Sequence, residues 1–367
     1  MCTDIDRISE LAKENPQRQF FSIAHLITTG ELYVAFQCLR REASAGIDGV
    51  TYEEYEKNAE GNILKLHQRL KDGKYQCQPL RRVYIPKENG KQRPISIPAL
   101  EDKVVQKAVV ELLNAIYEQD FLDCSYGFRP KRGQHQALDE VGRVLCTQPT
   151  GWILELDITT YFDSIVREQL IEMIKKRVSD GSVLRLIWKW IKVGVIEEGR
   201  FLTSETGTGQ GQPISPLLAN IYLHYILDEW FEKVVKPRLQ GKAHEIRFAD
   251  DAILCFQRKE DAQKVLKVLP KRFAKYGLTL HPEKIAAKLV DVLVDERSAR
   301  ETCPVGPVAI SGGGAGDQTV ESPDVKVLVD AVKTVSAPTG GRTNRQVVAR
   351  ANRSKAPKSV PLTRIGV

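Results

Sequence analysis

The 367-residue sequence contains no run approaching the roughly 18 consecutive apolar residues that a membrane-spanning helix requires. Its N-terminus, MCTDIDRISELAKENPQRQ, has neither the basic-then-apolar form of a signal peptide nor the Arg-rich, acid-poor form of a transit segment. A soluble, cytoplasmic protein is therefore expected. Cysteines are few and scattered, at 2, 38, 77, 124, 146, 255 and 303, and never form C-x-x-C. Reduced thiols are expected, with no structural zinc. Aromatic residues stop after Tyr276, although the chain average of 7% would place about six in residues 277–367. That stretch includes GPVAISGGGAGDQ and, from Arg342 onward, carries seven basic residues and no acid. Such a composition cannot bury a core, so a poorly folded basic tail is expected over 286–367.

What is present is ordinary for a globular protein: 42% hydrophobic and 28% charged residues, with a net charge of +7. The positive excess is compatible with a polyanionic partner without demanding one. Apolar spacing predicts helices over 23–41, 52–70, 101–117, 165–192, 217–234 and 259–276. Short strands are expected in LRRVYIPKENGKQRPISIPAL, as a basic hairpin turning at 88–90, and in GWILELD, in GLTLH and in a hairpin over 246–256. FLTSETGTGQGQPISP reads as a glycine-rich loop. The pattern is that of an α+β fold, with helices packed on one antiparallel sheet.

Chemistry concentrates in three aspartates. Asp157 ends the strand of LELD, while Asp250 and Asp251 occupy the turn of RFADDAILC. A tight turn between apolar strands sets ionised oxygens at a sheet edge, where a third carboxylate on a neighbouring strand can join them. Clustered carboxylate oxygens suit a hard cation such as Mg²⁺. Taken alone, ADD reads more readily as a mere polar turn, because Asp is a common turn residue.

Seven ordered blocks sharpen the reading: AGIDGVT, RRVYIPKENGKQRPISIPALEDKVVQKAV, CSYGFRPKRGQHQALDEV, LELDITTYFDSI, GTGQGQPISPLLANIYLH, RFADDAILC and LTLHPEK. In them, from about Phe20 to Lys284, the chain resembles the bacterial group II intron reverse transcriptases, the intron-encoded maturase family. The resemblance implies a right-hand polymerase: an N-terminal helical extension over 1–50, fingers over 51–150 and a palm over 151–285. It implies an RNA-directed DNA polymerase acting on an RNA template, expected to be group II intron RNA, with a DNA primer and dNTPs. Asp157, Asp250 and Asp251 would be catalytic ligands of two Mg²⁺ ions, with Mn²⁺ as a substitute, in a two-metal nucleotidyl transfer.

Further roles follow from the same blocks. Lys87 and Arg93 resemble the basic pair that grips the incoming triphosphate, for which a point charge and a guanidinium fork are chemically suited. Phe162 matches the ring that excludes a ribose 2′-hydroxyl, although a core aromatic in YFD is the plain alternative. Gln210 matches a nucleotide-pocket residue flanked by glycines that allow close backbone approach. Lys284 matches a lysine proposed to protonate pyrophosphate, and a surface lysine is its bland counterpart. Arg129 and Lys131 resemble contacts along template or primer, with Arg81, Arg82 and Lys91 as further backbone contacts.

The chain also departs from that pattern. Phe248 stands where the family usually has Tyr, Gly209 where it often has Pro, Pro213 where a β-branched residue is frequent, and Thr159-Thr160 where Lys-Gly is frequent. After Lys284 the expected palm strand, thumb and maturase region are not recognisable, so a missing thumb is expected. Two alternatives stay open: a non-catalytic RNA-binding maturase or truncated remnant, and a retron or defence-type reverse transcriptase.

Overall fold

A computed structural model of the chain describes residues 4–86, 92–148, 150–197, 199–203, 206–281 and the backbone of 287–289. The turn at 88–90, Lys87, Lys91, Lys284 and nearly all of the expected tail lie outside the described residues, as does any thumb. Among the described residues, no helix is long and apolar enough to cross a membrane.

The chain opens with α1 (Asp4–Glu14) and α2 (Thr29–Gln37), and the Thr28 hydroxyl caps α2 by accepting from Glu31 N. The helix expected over 52–70 is two, α3 (Tyr52–Glu56) and α4 (Ala59–Lys71). Thr51 and Glu54 form a capping box that starts α3, and Asn58 leaves helical geometry at φ −141°, ψ 42°. Next come β1 (Leu80–Pro86) and β2 (Gln92–Ile97), antiparallel with Arg82 opposite Ser96. α5 (Leu100–Tyr117) is buried along most of its length, as its wide apolar stripe predicts. α6 (Gln134–Thr147) precedes β3 (Trp152–Leu156) and the single turn α7 (Tyr161–Ser164).

The helix expected over 165–192 divides into α8 (Arg167–Lys175) and α9 (Gly181–Lys192). Asp180 interrupts it, its carboxylate accepting from Ser182 N and Val183 N of α9 and from Ile23 N and Ala24 N of the N-terminal segment. Burial pushes this carboxyl up, but the four N–H groups outweigh that and hold it below the usual range. Two short strands follow, β4 (Val195–Glu197) and β5 (Arg200–Leu202). α10 (Ser215–Leu223) continues through wide i→i+5 turns at His224–Asp228 and Phe231–Val235. The chain then forms β6 (Ala243–Phe248), β7 (Asp251–Phe256), α11 (Lys259–Ala274) and β8 (Ala287–Leu289).

The strands make two sheets rather than one. A mixed sheet has the order β2-β1-β4-β5, because β4 joins β1 in parallel and was not legible as a strand. The second sheet, β6-β7-β3-β8, is antiparallel throughout. Its fourth strand lies just beyond the 285 boundary expected for the palm. GLTLH is no regular strand: Leu280 makes only an isolated bridge to Ile158. One hydrophobic core runs from α2, α4 and α5 through α8, α9 and α10 to the inner faces of β3 and β7. A smaller core lies between α6 and the other face of β6 and β7, with Val141, Leu145, Ile246 and Ile253. The antiparallel sheet is thus covered on both faces, leaving its edges for chemistry.

Candidate active site

Register brings the aspartates together. Leu156 faces Ala252 and Phe248 faces Asp251, so Asp157 leaves β3 beside the turn Ala249-Asp250 that joins β6 to β7. All three carboxylates are half-buried at this edge. Burial pushes the Asp250 carboxyl above its usual range and the Asp157 carboxylate pushes the same way, against the pull of Arg93 and Arg247. Like charges held side by side in this fashion leave a site short of positive charge. Oxygen donors under that tension fit a divalent hard cation.

Arg93 reaches this edge from β2. A guanidinium can only donate, so the Gln210 side-chain oxygen faces it, accepting from Nε at 2.9 Å and also from Nη2. The Gln210 carbonyl accepts from Ser96 N at 2.7 Å. The glycine-rich loop is thereby stitched to the mixed sheet, and on its other side to α7: Thr208 N donates to the Phe162 carbonyl at 2.9 Å. A Cβ on Gly207, whose φ is +87°, would lie 2.8 Å from Asp163 Cα, and one on Gly211, φ +109°, 2.8 Å from the Ser96 carbonyl. Only glycine lets the loop pass between the two layers. Phe162 is half-buried with its ring 5.6 Å from that of Tyr161. The structure therefore gathers Asp157, Asp250, Asp251, Arg93 and Gln210, with Phe162 one loop contact away.

The expected nucleic-acid contacts fare differently. Arg129 is a correction: it is 6% exposed, its guanidinium bonded to Glu118, the Leu122 carbonyl at 2.7 Å and the Ser125 carbonyl at 2.8 Å. A buried arginine with its donors spent inside the fold cannot lie along a phosphate backbone. Arg81 holds the Ala45 carbonyl through Nε and Nη2, Arg82 is half-buried and Lys131 is exposed.

The residues that sequence reading missed stand behind the turn. Arg247, within RFADD, is fully buried and pairs with Asp228, while Asn220 and Ser125 complete its shell. Among the described residues, the Cys, Asp and Glu ligand atoms that all lie within 4.8 Å of one another belong to Cys124, Asp228 and Glu245. Burial and the Asp228 carboxylate push Glu245 well above the usual range. Asp228 of this cluster is already paired with the fully buried Arg247.

Comparison with known proteins points one way. The sequence profile of the family described as "Reverse transcriptase (RNA-dependent DNA polymerase)" matches residues 85–328, reaching beyond the Lys284 boundary expected from sequence. "Group II intron-encoded protein LtrA" of Lactococcus lactis subsp. cremoris is 35% identical over 280 residues, 73% of this chain and 46% of that protein. "Protein YkfC" of Escherichia coli (strain K12) is 40% identical over 206 residues, 55% of this chain and 53% of that one. "Putative COX1/OXI3 intron 1 protein" of Saccharomyces cerevisiae is 28% identical over 236 residues, 64% of this chain and 28% of that protein. The chain spans about half the length of the first two relatives.

Proposed function

Because the chain belongs to the reverse transcriptase (RNA-dependent DNA polymerase) family, we propose that it extends a DNA primer on an RNA template, with group II intron RNA as that template. The observation that carries this reading is the meeting of the Asp157 and Asp250 carboxylates with the Arg93–Gln210 pair at one sheet edge. In this reading β1 and β2 with α3 to α6 form fingers over 51–150, joined by β4 and β5 from later in the chain, and the antiparallel sheet forms a palm over 151–285 that extends to β8.

Asp157, Asp250 and Asp251 would hold Mg²⁺, or Mn²⁺ in its place. When bound, the ions supply Lewis acidity for activation of the primer 3′-hydroxyl and charge compensation for the leaving pyrophosphate. The protein's own groups do the positioning. Arg93, with Lys87 from the same hairpin, neutralises the triphosphate, and Gln210 holds the guanidinium in place. The Phe162 ring lies against the sugar and selects deoxyribose. Lys284 serves as the proton donor to pyrophosphate. Lys131, Arg81, Arg82 and Lys91 contribute phosphate contacts.

Primer extension on poly(rA)/oligo(dT) with Mg²⁺ and labelled dTTP tests the reading. Product is expected from the wild type and not from Asp250→Ala/Asp251→Ala. Equal signal from both would refute polymerase activity and leave RNA binding, measured by filter retention, as the function.

A further inference from the structure

Arg247 sits three residues before Asp250, and neither it nor its partner Asp228 has any side-chain exposure. Its guanidinium makes five hydrogen bonds. Nε donates to Asp228 Oδ1 at 2.7 Å and Nη2 to Asp228 Oδ2 at 2.6 Å. Nη2 also donates to Ser125 Oγ at 2.8 Å, and Nη1 to Asn220 Oδ1 at 3.0 Å. The fifth bond runs from Nη1 to the Ala249 carbonyl at 2.8 Å. That carbonyl belongs to the peptide unit whose nitrogen is Asp250's, so the guanidinium grips the backbone feeding directly into the metal-binding turn.

The turn needs holding. Ala249 adopts φ +57°, a left-handed conformation that a non-glycine residue enters at a cost and keeps only where its surroundings over-determine it. The opposite side of the turn is pinned as well. Arg247 N donates to the Cys124 carbonyl at 2.7 Å, and Tyr126 N donates to the Arg247 carbonyl at 2.8 Å. A Cβ on Gly127 would lie 2.3 Å from Ala249 N, and Asn220 Nδ2 anchors the Gly127 carbonyl at 2.7 Å. Three chain segments, 124–127, 220–228 and 247–251, therefore converge on one side chain.

We propose that Arg247 is the positioning residue of the catalytic turn, fixing the Ala249–Asp250 peptide through Asp228, Asn220 and Ser125 so that Asp250 and Asp251 present their carboxylates to the metal ions. The proposal rests on the polymerase reading for its biological meaning, but its geometry concerns metal binding alone. A buried ion pair often adds little net stability over well-packed apolar side chains, so its loss and loss of fold are separable. Groups that orient metal ligands from behind are typically worth about 10–100-fold in metal affinity or activity.

The experiment compares wild type, Arg247→Lys and the apolar double variant Arg247→Met/Asp228→Leu, reading Mn²⁺ binding by electron paramagnetic resonance, Mg²⁺ dependence of primer extension and thermal unfolding. Asp250→Ala/Asp251→Ala defines the signal from this site. Folded Arg247 variants are expected to bind Mn²⁺ about 10–100-fold more weakly and to need correspondingly more Mg²⁺, with KM for dTTP at saturating Mg²⁺ little changed. If those variants do not fold, Ser125→Ala removes one bond and Asn220→Ala two, that from Arg247 and that to the Gly127 carbonyl, both leaving the ion pair, and a smaller shift in the same direction is expected. Wild-type Mn²⁺ affinity in the folded variants overturns the proposal, and so does wild-type protein that shows no Asp250-dependent Mn²⁺ binding. Wild-type protein that binds Mn²⁺ at this site but extends no primer defeats the polymerase reading alone.

Discussion

Arg93 of β2 and Gln210 of the glycine-rich loop tie that loop to the mixed sheet beside the aspartates: Arg93 Nε donates to the Gln210 side-chain oxygen at 2.9 Å, while Ser96 N holds the Gln210 carbonyl at 2.7 Å. Strand and loop thus fix each other. Gln210→Ala frees the guanidinium from one position and is expected to raise KM for dTTP about tenfold, the value of one hydrogen bond to a charged group, with a smaller change in kcat. Arg93→Ala is expected to lower kcat/KM further. Steady-state extension at varied dTTP checks both.

Phe162 is tied to the glycine-rich loop by the Thr208 N bond to its carbonyl. On the proposed reading, Phe162→Val removes ring volume where a 2′-hydroxyl would sit. The ratio of ribonucleotide to deoxyribonucleotide incorporation should rise, as measured by single-nucleotide extension with UTP and dTTP. An unchanged ratio would return Phe162 to the role of a core aromatic.

Arg129 and Lys131 should separate cleanly. Arg129→Met strips Glu118 and two carbonyls of a buried partner, and is expected to cost roughly 3–5 kcal/mol of stability by denaturant titration. Lys131→Ala should leave stability alone and reduce the slope of log affinity for template against log salt by about one contact, ~0.7 to 0.9.

Thr160 caps α7 in the left-handed region, at φ 44° and ψ 49°. A β-branched residue is strained there, and its hydroxyl lies 3.3 Å from Ser164 Oγ. Thr160→Gly is expected to stabilise the fold by about 1 kcal/mol, read as a raised denaturation midpoint, with extension activity retained.

Asp102 supplies a pH dependence remote from the site. Burial raises its carboxyl to about 6, although the Tyr75 hydroxyl and Gln78 N both donate to it. A carboxyl raised on folding binds its proton more tightly in the native state, so its contribution is full below pH 4 and lost as pH rises through 6. Between pH 4 and 7 the wild type should lose about 2–3 kcal/mol that Asp102→Asn does not, at ~1.4 kcal/mol per pKa unit. Urea titrations at both pH values measure it.

Legibility in the sequence followed the range of the interactions. β3 and the β6–β7 hairpin were visible because alternation and a turn residue are local, and so was the α5 stripe. β4 and β5 were not, since three residues carry no periodicity and β4 is a strand only by virtue of lying beside β1. Asp157, Asp250 and Asp251 announced themselves by residue type at strand ends. Arg247 lies in the same quoted block as two of them, yet block membership does not reveal that its side chain points inward to Asp228, nineteen positions earlier. Arg129 misled for the converse reason: a basic residue in YGFRPKRG looks exposed until Glu118 is seen against it.

The strand order β6-β7-β3-β8 has a kinetic corollary. β3 ends at Leu156, yet both of its sheet neighbours come much later, β7 beginning at Asp251 and β8 at Ala287. During synthesis the β1–β2 hairpin and the early helices can form from local contacts, but the strand bearing Asp157 must wait for a distant partner and for the loop-closure entropy to be met. The carboxylate cluster is accordingly among the last features to assemble. A nascent or nicked chain lacking the second hairpin would carry Asp157 at the end of an unpaired segment, with neither Asp250 nor Asp251 beside it.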